Sequence, residues 1–151
     1  MPRDTREPQE ILAHVIAARV ALTSSIYGLS QDELATKGAV GDWSVKDVMA
    51  HVGRWEEVCF VELQKHLRGE RSTEDYRDAL PYNDRWEAEL QALPLQQAIE
   101  LFETAHYRVF GLLSSLKPEQ WDGYVRAWVR GSIWHHFEEH CEQIRAWRAG
   151  R

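Results

Sequence analysis

The stretch Gly131-Ser132-Ile133-Trp134-His135-His136-Phe137-Glu138-Glu139-His140-Cys141-Glu142-Gln143-Ile144-Arg145-Ala146-Trp147 decides the fold class. Its apolar and aromatic positions, Ile133, His136/Phe137, His140, Ile144 and Trp147, recur every three or four residues. That is the stripe of a helix with one buried face. Glu138, Glu139 and Glu142 fall on the other side, which reads as solvated.

The same period runs through the rest of the chain. Ile11, Val15, Ala18, Leu22 and Ile26 form a first stripe, opened near Pro8, which suits a first helical turn, and stopped by Gly28. Ser30 with Glu33 makes a capping-box pattern for a short helical turn. After the break Lys37-Gly38-Ala39-Val40-Gly41, Ser44 with Asp47 caps helix two. Its stripe is Val48, Val52, Trp55, Cys59 and Leu63, fading by Gly69. Residues 71–80 are charged and poor in apolar spacing, so they read as a crossover, with a partly helical stretch from Tyr82 to Leu93. Helix three starts at Pro94, carries Ile99, Phe102, His106, Val109, Leu113 and Leu116 on one seam, and ends at Lys117-Pro118. No strand alternation, internal repeat or low-complexity segment interrupts this. The expectation is an all-α chain, a four-helix bundle with a long connection between helices two and three, in a single domain over residues 1–151.

Composition narrows the function classes. Of 151 residues 44% are hydrophobic, enough for one sizeable core, and the net charge of -6 with interleaved acids and bases argues against a nucleic-acid surface. The only basic-leaning stretch is the tail around Arg145, Arg148 and Arg151. No apolar run nears the roughly 20 residues of a membrane span, and the N-terminus lacks the apolar segment of a signal peptide. With two cysteines, Cys59 and Cys141, there is no disulfide framework, and the chain reads as cytoplasmic. All 7 Trp follow position 42, suiting large core fillers or a pocket with aromatic walls.

Chemistry concentrates in histidines. His136 and His140 project from one helical face a turn apart, a spacing that lets two imidazoles share a metal ion. Both lie on the apolar seam, where a neutral imidazole needs a hydrogen-bond partner or a metal. His51, flanked by Val48, Val52 and Trp55, leans inward from helix two. Three inward histidines from two helices can form a facial set with open positions. Core histidines bonded to carbonyls or carboxylates fit the periodicity equally well. His106, on the helix-three seam, is a rival: a fourth ligand, a partner of a ligand or a core residue. His135 sits about a hundred degrees round from His136, and His14 and His66 read as flank or surface positions. Glu56/Glu57 and Glu138/Glu139 read as solvated faces, Cys59 and Cys141 as small buried hydrophobes. There is no G-x-S-x-G, phosphate-binding glycine loop, H-E-x-x-H or C-x-x-C.

Two segments carry a family resemblance. Gly41-Asp42-Trp43-Ser44-Val45-Lys46-Asp47-Val48-Met49-Ala50-His51 is similar to the W-S-x-x-D-x-x-x-H signature of DinB/YfiT-like proteins, and Trp134 to Trp147 resembles their last-helix H-x-x-x-H. Tyr82-Asn83 and His106-Tyr107-Arg108 resemble the DfsB-like branch. The resemblance, spanning roughly residues 10–148, implies a four-helix bundle with a long connection and a divalent metal, commonly nickel or zinc. By motif position its ligands are His51, His136 and His140. It also implies either a thiol-dependent S-transferase, a hydrolase or an isomerase acting on small molecules, with a low-molecular-weight thiol as one partner and a homodimer as one assembly. The competing expectation is a non-catalytic protein that binds a small ligand or a metal in stress responses.

Overall fold

The computed structural model describes residues 2–151, and among them every regular element is helical. In chain order these are α1 (Pro8–Ile26), α2 (Gln31–Ala35), α3 (Val45–Leu67), α4 (Leu80–Gln91) and α5 (Leu95–Ser115). A 3-10 turn (Pro118–Gln120), α6 (Gly123–Val129), a π-helical turn (Arg130–Trp134) and α7 (His135–Ala149) follow. The last three run without a break, so the final helical rod begins eight residues before the Gly131 start expected from sequence.

Local chemistry sets most boundaries. Pro8 occupies the first turn of α1, and Gly28, at φ +85°, provides the left-handed residue that ends the segment. Ser30 and Glu33 form a reciprocal capping box on α2, as Ser44 and Asp47 do on α3. The Asp47 carboxylate also takes a 2.6 Å hydrogen bond from Lys37 Nζ. Lys46 Nζ donates to the Gln91 and Leu93 carbonyls, both at 2.7 Å, which ties the start of α3 to the end of α4.

Two pairings build the core: α3 lies along α5, and α1 along α7, while α3 also meets α6, the π turn and α7. Close approach of α3 and α5 depends on Gly53. A Cβ there would stand 2.8 Å from Leu101 Cγ and 3.0 Å from the Leu101 carbonyl. The expected stripes supply the interior: Ile11, Val15 and Leu22 of α1, Val48, Val52 and Leu63 of α3, Phe102, Val109 and Leu113 of α5, and Ile133, Phe137 and Ile144 of the final rod all join one buried cluster. Each fully buried Leu, Ile, Val or Phe contributes on the order of 1.5–3 kcal/mol.

The connection from α3 to α5 is only partly open chain. Residues 70–79 have no regular structure, and α4 packs Leu90 against Ala50 and Ala98 beside the main core.

Candidate metal centre

His51 lies on α3 two turns after the Ser44 cap, and His136 and His140 lie on α7 one turn apart. The packing of α3 against α7 brings the three rings together. His51 Nε2 and His140 Nε2 are each 2.9 Å from His136 Nε2. The possible ligand atoms of all three fall within 4.8 Å of one another. The π turn sits immediately before His135, and such turns recur at functional sites because the extra residue re-aims the side chains that follow. His135 is exposed. His136 is therefore the inward member of the doublet, as its place on the seam suggested.

Burial keeps these imidazoles neutral. Desolvation, reinforced by His140, holds His51 down to about 3, and desolvation with the two neighbouring rings pushes His136 well below the usual histidine range. His140 is lowered for the same reason, against a partly offsetting hydrogen bond to Gln143. That 2.7 Å bond joins Gln143 Oε1 to His140 Nδ1, so Nδ1 carries the proton and Nε2 turns a lone pair toward the cluster. His136 Nδ1 is buried, with the Ser132 backbone beside it but no hydrogen bond in good geometry. Three neutral imidazoles meeting through Nε2 have more lone pairs than protons to share. A divalent cation would satisfy all three at once, and an all-imidazole set suits zinc, nickel, copper or iron over calcium or magnesium.

The cluster opens into a cleft of about 850 Å3, within the range of small-molecule sites. Trp43 covers one side, its ring 4.9 Å from that of His51. Farther along, Trp55, Tyr76 and Trp128 line the walls. Trp55 Nε1 donates to Asn83 Oδ1 at 2.8 Å. The charged connection therefore does more than cross over: Ser72, Tyr76 and Arg77 from it border the cleft. Nothing in the sequence pattern of residues 71–80 carried that signal.

The other histidines have conventional partners. His106 does not join the triad. Its Nδ1 bonds Glu56 Oε2 at 2.8 Å, and Arg19 Nη1 stands 3.5 Å from the other Glu56 oxygen while its guanidinium lies 3.6 Å over the Phe102 ring. Glu56 has no exposed surface, which corrects the expectation that Glu56/Glu57 is a solvated pair. Its partners come from α1 and α5, so no local pattern announced its burial. Glu138 is similarly engaged, by His14 Nε2, whose Nδ1 meets Arg6. Glu139 is exposed but borders the cleft. His66 pairs with Asp122 at 2.7 Å and stacks on Tyr124. Cys59 and Cys141 are free and buried, and burial pushes the Cys59 thiol far up, leaving no reactive thiolate there.

Comparison with known proteins gives this geometry a lineage. A sequence model of the DinB superfamily matches residues 6–144. A protein of Bacillus cereus (strain 03BB102) named "Putative metal-dependent hydrolase" is 28% identical over 138 residues, covering 82% of this chain and 77% of its own. A similarly named protein of Oceanobacillus iheyensis is 26% identical over 114 residues, with 74% and 63% covered. Among solved structures, "Sibling Lethal Factor Precursor - DfsB" superimposes with a TM-score of 0.79 at 14% identity, over 97% of this chain and 98% of that one. A Streptococcus pneumoniae structural-genomics protein gives 0.79 at 13% identity, over 99% and 94%. At such identities the two structures speak for a shared fold alone.

Proposed function

The chain belongs to the DinB superfamily, and from that premise we propose that it is a metal-dependent enzyme acting on small electrophiles, by hydrolysis or by transfer of a low-molecular-weight thiol. His51, His136 and His140 are the ligands in this reading. The architecture is read as a four-helix bundle of α1, α3, α5 and the final rod, with α4 in its long connection. The names of the Bacillus and Oceanobacillus relatives support metal dependence. The observation that carries the proposal is the meeting of three neutral Nε2 atoms at the wall of a cleft large enough for a substrate.

His51, His136 and His140 would hold a zinc or nickel ion, whose chemistry there would be Lewis acidity and a lowered pKa for a thiol or water. The chain's own groups set the conditions. Gln143 fixes the His140 tautomer, so that its Nε2 lone pair faces the site. Trp43 shields His51 from bulk water, which strengthens every electrostatic interaction at the cluster. Trp55 and Trp128 give a substrate apolar walls, and Glu139 offers a carboxylate at the mouth, on the same helix as two of the ligands.

The test is turnover by tag-free protein, stripped with chelator and reloaded with zinc or nickel. One assay follows hydrolysis of an activated aryl ester, the other conjugation of a thiol to 1-chloro-2,4-dinitrobenzene. The reading expects metal-dependent turnover in one assay and its loss in His51→Ala/His140→Ala. Tight small-molecule binding with no metal-dependent turnover in either would leave a binding protein in its place.

A further inference from the structure

Along α3 the cleft changes character. One helical turn beyond His51, about 5.4 Å, the histidine wall gives way to Trp55, Tyr76 and Trp128. Their rings stand nearly perpendicular to one another: Tyr76 to Trp55 at 5.9 Å and 80°, Tyr76 to Trp128 at 5.5 Å and 68°. The ring faces left open to the cleft are electron-rich, and there a cation is attracted more than a neutral group of the same size.

The charges around this end have one predominant sign. Glu74, Asp75 and Glu139 line the cleft, against Arg77 alone among its lysine and arginine side chains. Arg77 is spoken for: its guanidinium makes hydrogen bonds of 2.9 and 2.7 Å to Asp75. Two turns beyond Trp55 on the same face of α3 is Glu62, only 2% exposed and not itself part of the cleft lining. Its Oε1 is 3.3 Å from Lys65 Nζ, and its Oε2 is buried with no hydrogen-bond partner. Burial is the main reason the Tyr76 phenol is raised; Glu62 and Glu74 add to it, with Arg85 partly opposing them.

We propose that the aromatic end of the cleft, walled by Trp55, Tyr76 and Trp128 and bordered by Glu74 and Glu139, binds the ammonium group of an amine-bearing small molecule. This rests on the reading of the same cleft as the active site: the substrate or co-substrate presents its reacting atom to the histidines and its amine to the rings. An anionic group would meet Glu74 and Glu139 with Arg77 already bonded to Asp75, and a neutral group gains nothing from those charges.

The test uses metal-free protein and three probes that share one ring and one chain length: 2-phenylethylammonium, 2-phenylethanol and phenylacetate. Calorimetric titration is expected to show the ammonium binding at least tenfold tighter than the alcohol, with phenylacetate weakest. Glu74→Gln, nearly isosteric, is expected to reduce that preference severalfold, and Trp128→Leu to do the same, with thermal melts confirming that both variants fold. Equal binding of ammonium and alcohol, tighter binding of phenylacetate, or a full preference kept in both variants would overturn the proposal. Because no metal is present, the outcome is separable from the metal reading. Protein that prefers the ammonium yet never takes up zinc sinks only the latter, and protein that loads zinc without the preference sinks only the former.

Discussion

Two of the buried polar clusters in this all-helical chain share α3. His51 and Glu56 are five residues apart, which places them about 140° apart around the helix. On one flank Glu56 meets Arg19 and His106, groups of complementary character: His106 bonds one carboxylate oxygen at 2.8 Å and Arg19 stands 3.5 Å from the other. On the other flank His51 meets His136 and His140, like groups that offer the same lone pair to the same point at the edge of a cleft. Complementary groups attract one another without help; convergent like groups hold together best with something added. Burial and polarity alone do not tell a structural cluster from a functional one, whereas the signs and the directions of the partners do.

The sharpest way to break this contrast is to remove a member from each side. Glu56→Ala leaves Arg19 buried without its carboxylate, and the expected loss is about 3–5 kcal/mol in chemical denaturation, with metal content per folded molecule unchanged. Replacing the trio together, as Arg19→Met, Glu56→Leu and His106→Leu, should recover most of that loss. If the single substitution proves harmless, the closed cluster is not holding the core.

Acid titration of the metal-free protein comes next. His51 is neutral when folded down to about 3 but takes a proton near 6.5 once unfolded. The unfolded chain therefore binds more protons between those values, and stability should fall as pH drops from about 6.5 toward 3. Denaturation midpoints compared across this window should show a shallower slope for His51→Ala. An unchanged slope would mean that the ring is not buried as described.

A smaller effect is expected from Gln143→Leu, which removes the hydrogen bond that orients His140. A loss of about 10–100-fold in metal affinity follows from the known weight of such supporting contacts, with stability nearly unchanged, read by competition with a chromophoric chelator. Smallest is Ser44→Ala, which opens the cap of the helix that serves both clusters. About 1 kcal/mol of stability should go, with the metal affinity of the folded protein preserved.

Much of this architecture was legible in the sequence, for identifiable reasons. The α1, α3 and α5 stripes, the Ser30/Glu33 and Ser44/Asp47 boxes and the Gly28 stop are encoded within a few residues of where they act. The choice of His136 over His135 followed from the seam for the same reason. What escaped depends on distant partners. Glu56 looks like its solvated neighbour Glu57 until Arg19, 37 positions earlier, and His106, 50 positions later, close over it. Tyr76 belongs to a stretch without periodicity, and only the return of the chain past α3 brings it to the cleft. The last helix was expected from about Gly131; the π turn carries the rod straight through that position from Gly123.

The most direct measurement is the metal content of protein purified without an affinity tag, set beside His51→Ala/His140→Ala prepared in the same way. The account predicts close to one transition-metal ion per wild-type chain, little or none in the variant, and similar thermal stability for the two once metal is removed. Equal, negligible metal in both, after exposure to zinc and nickel, would contradict it.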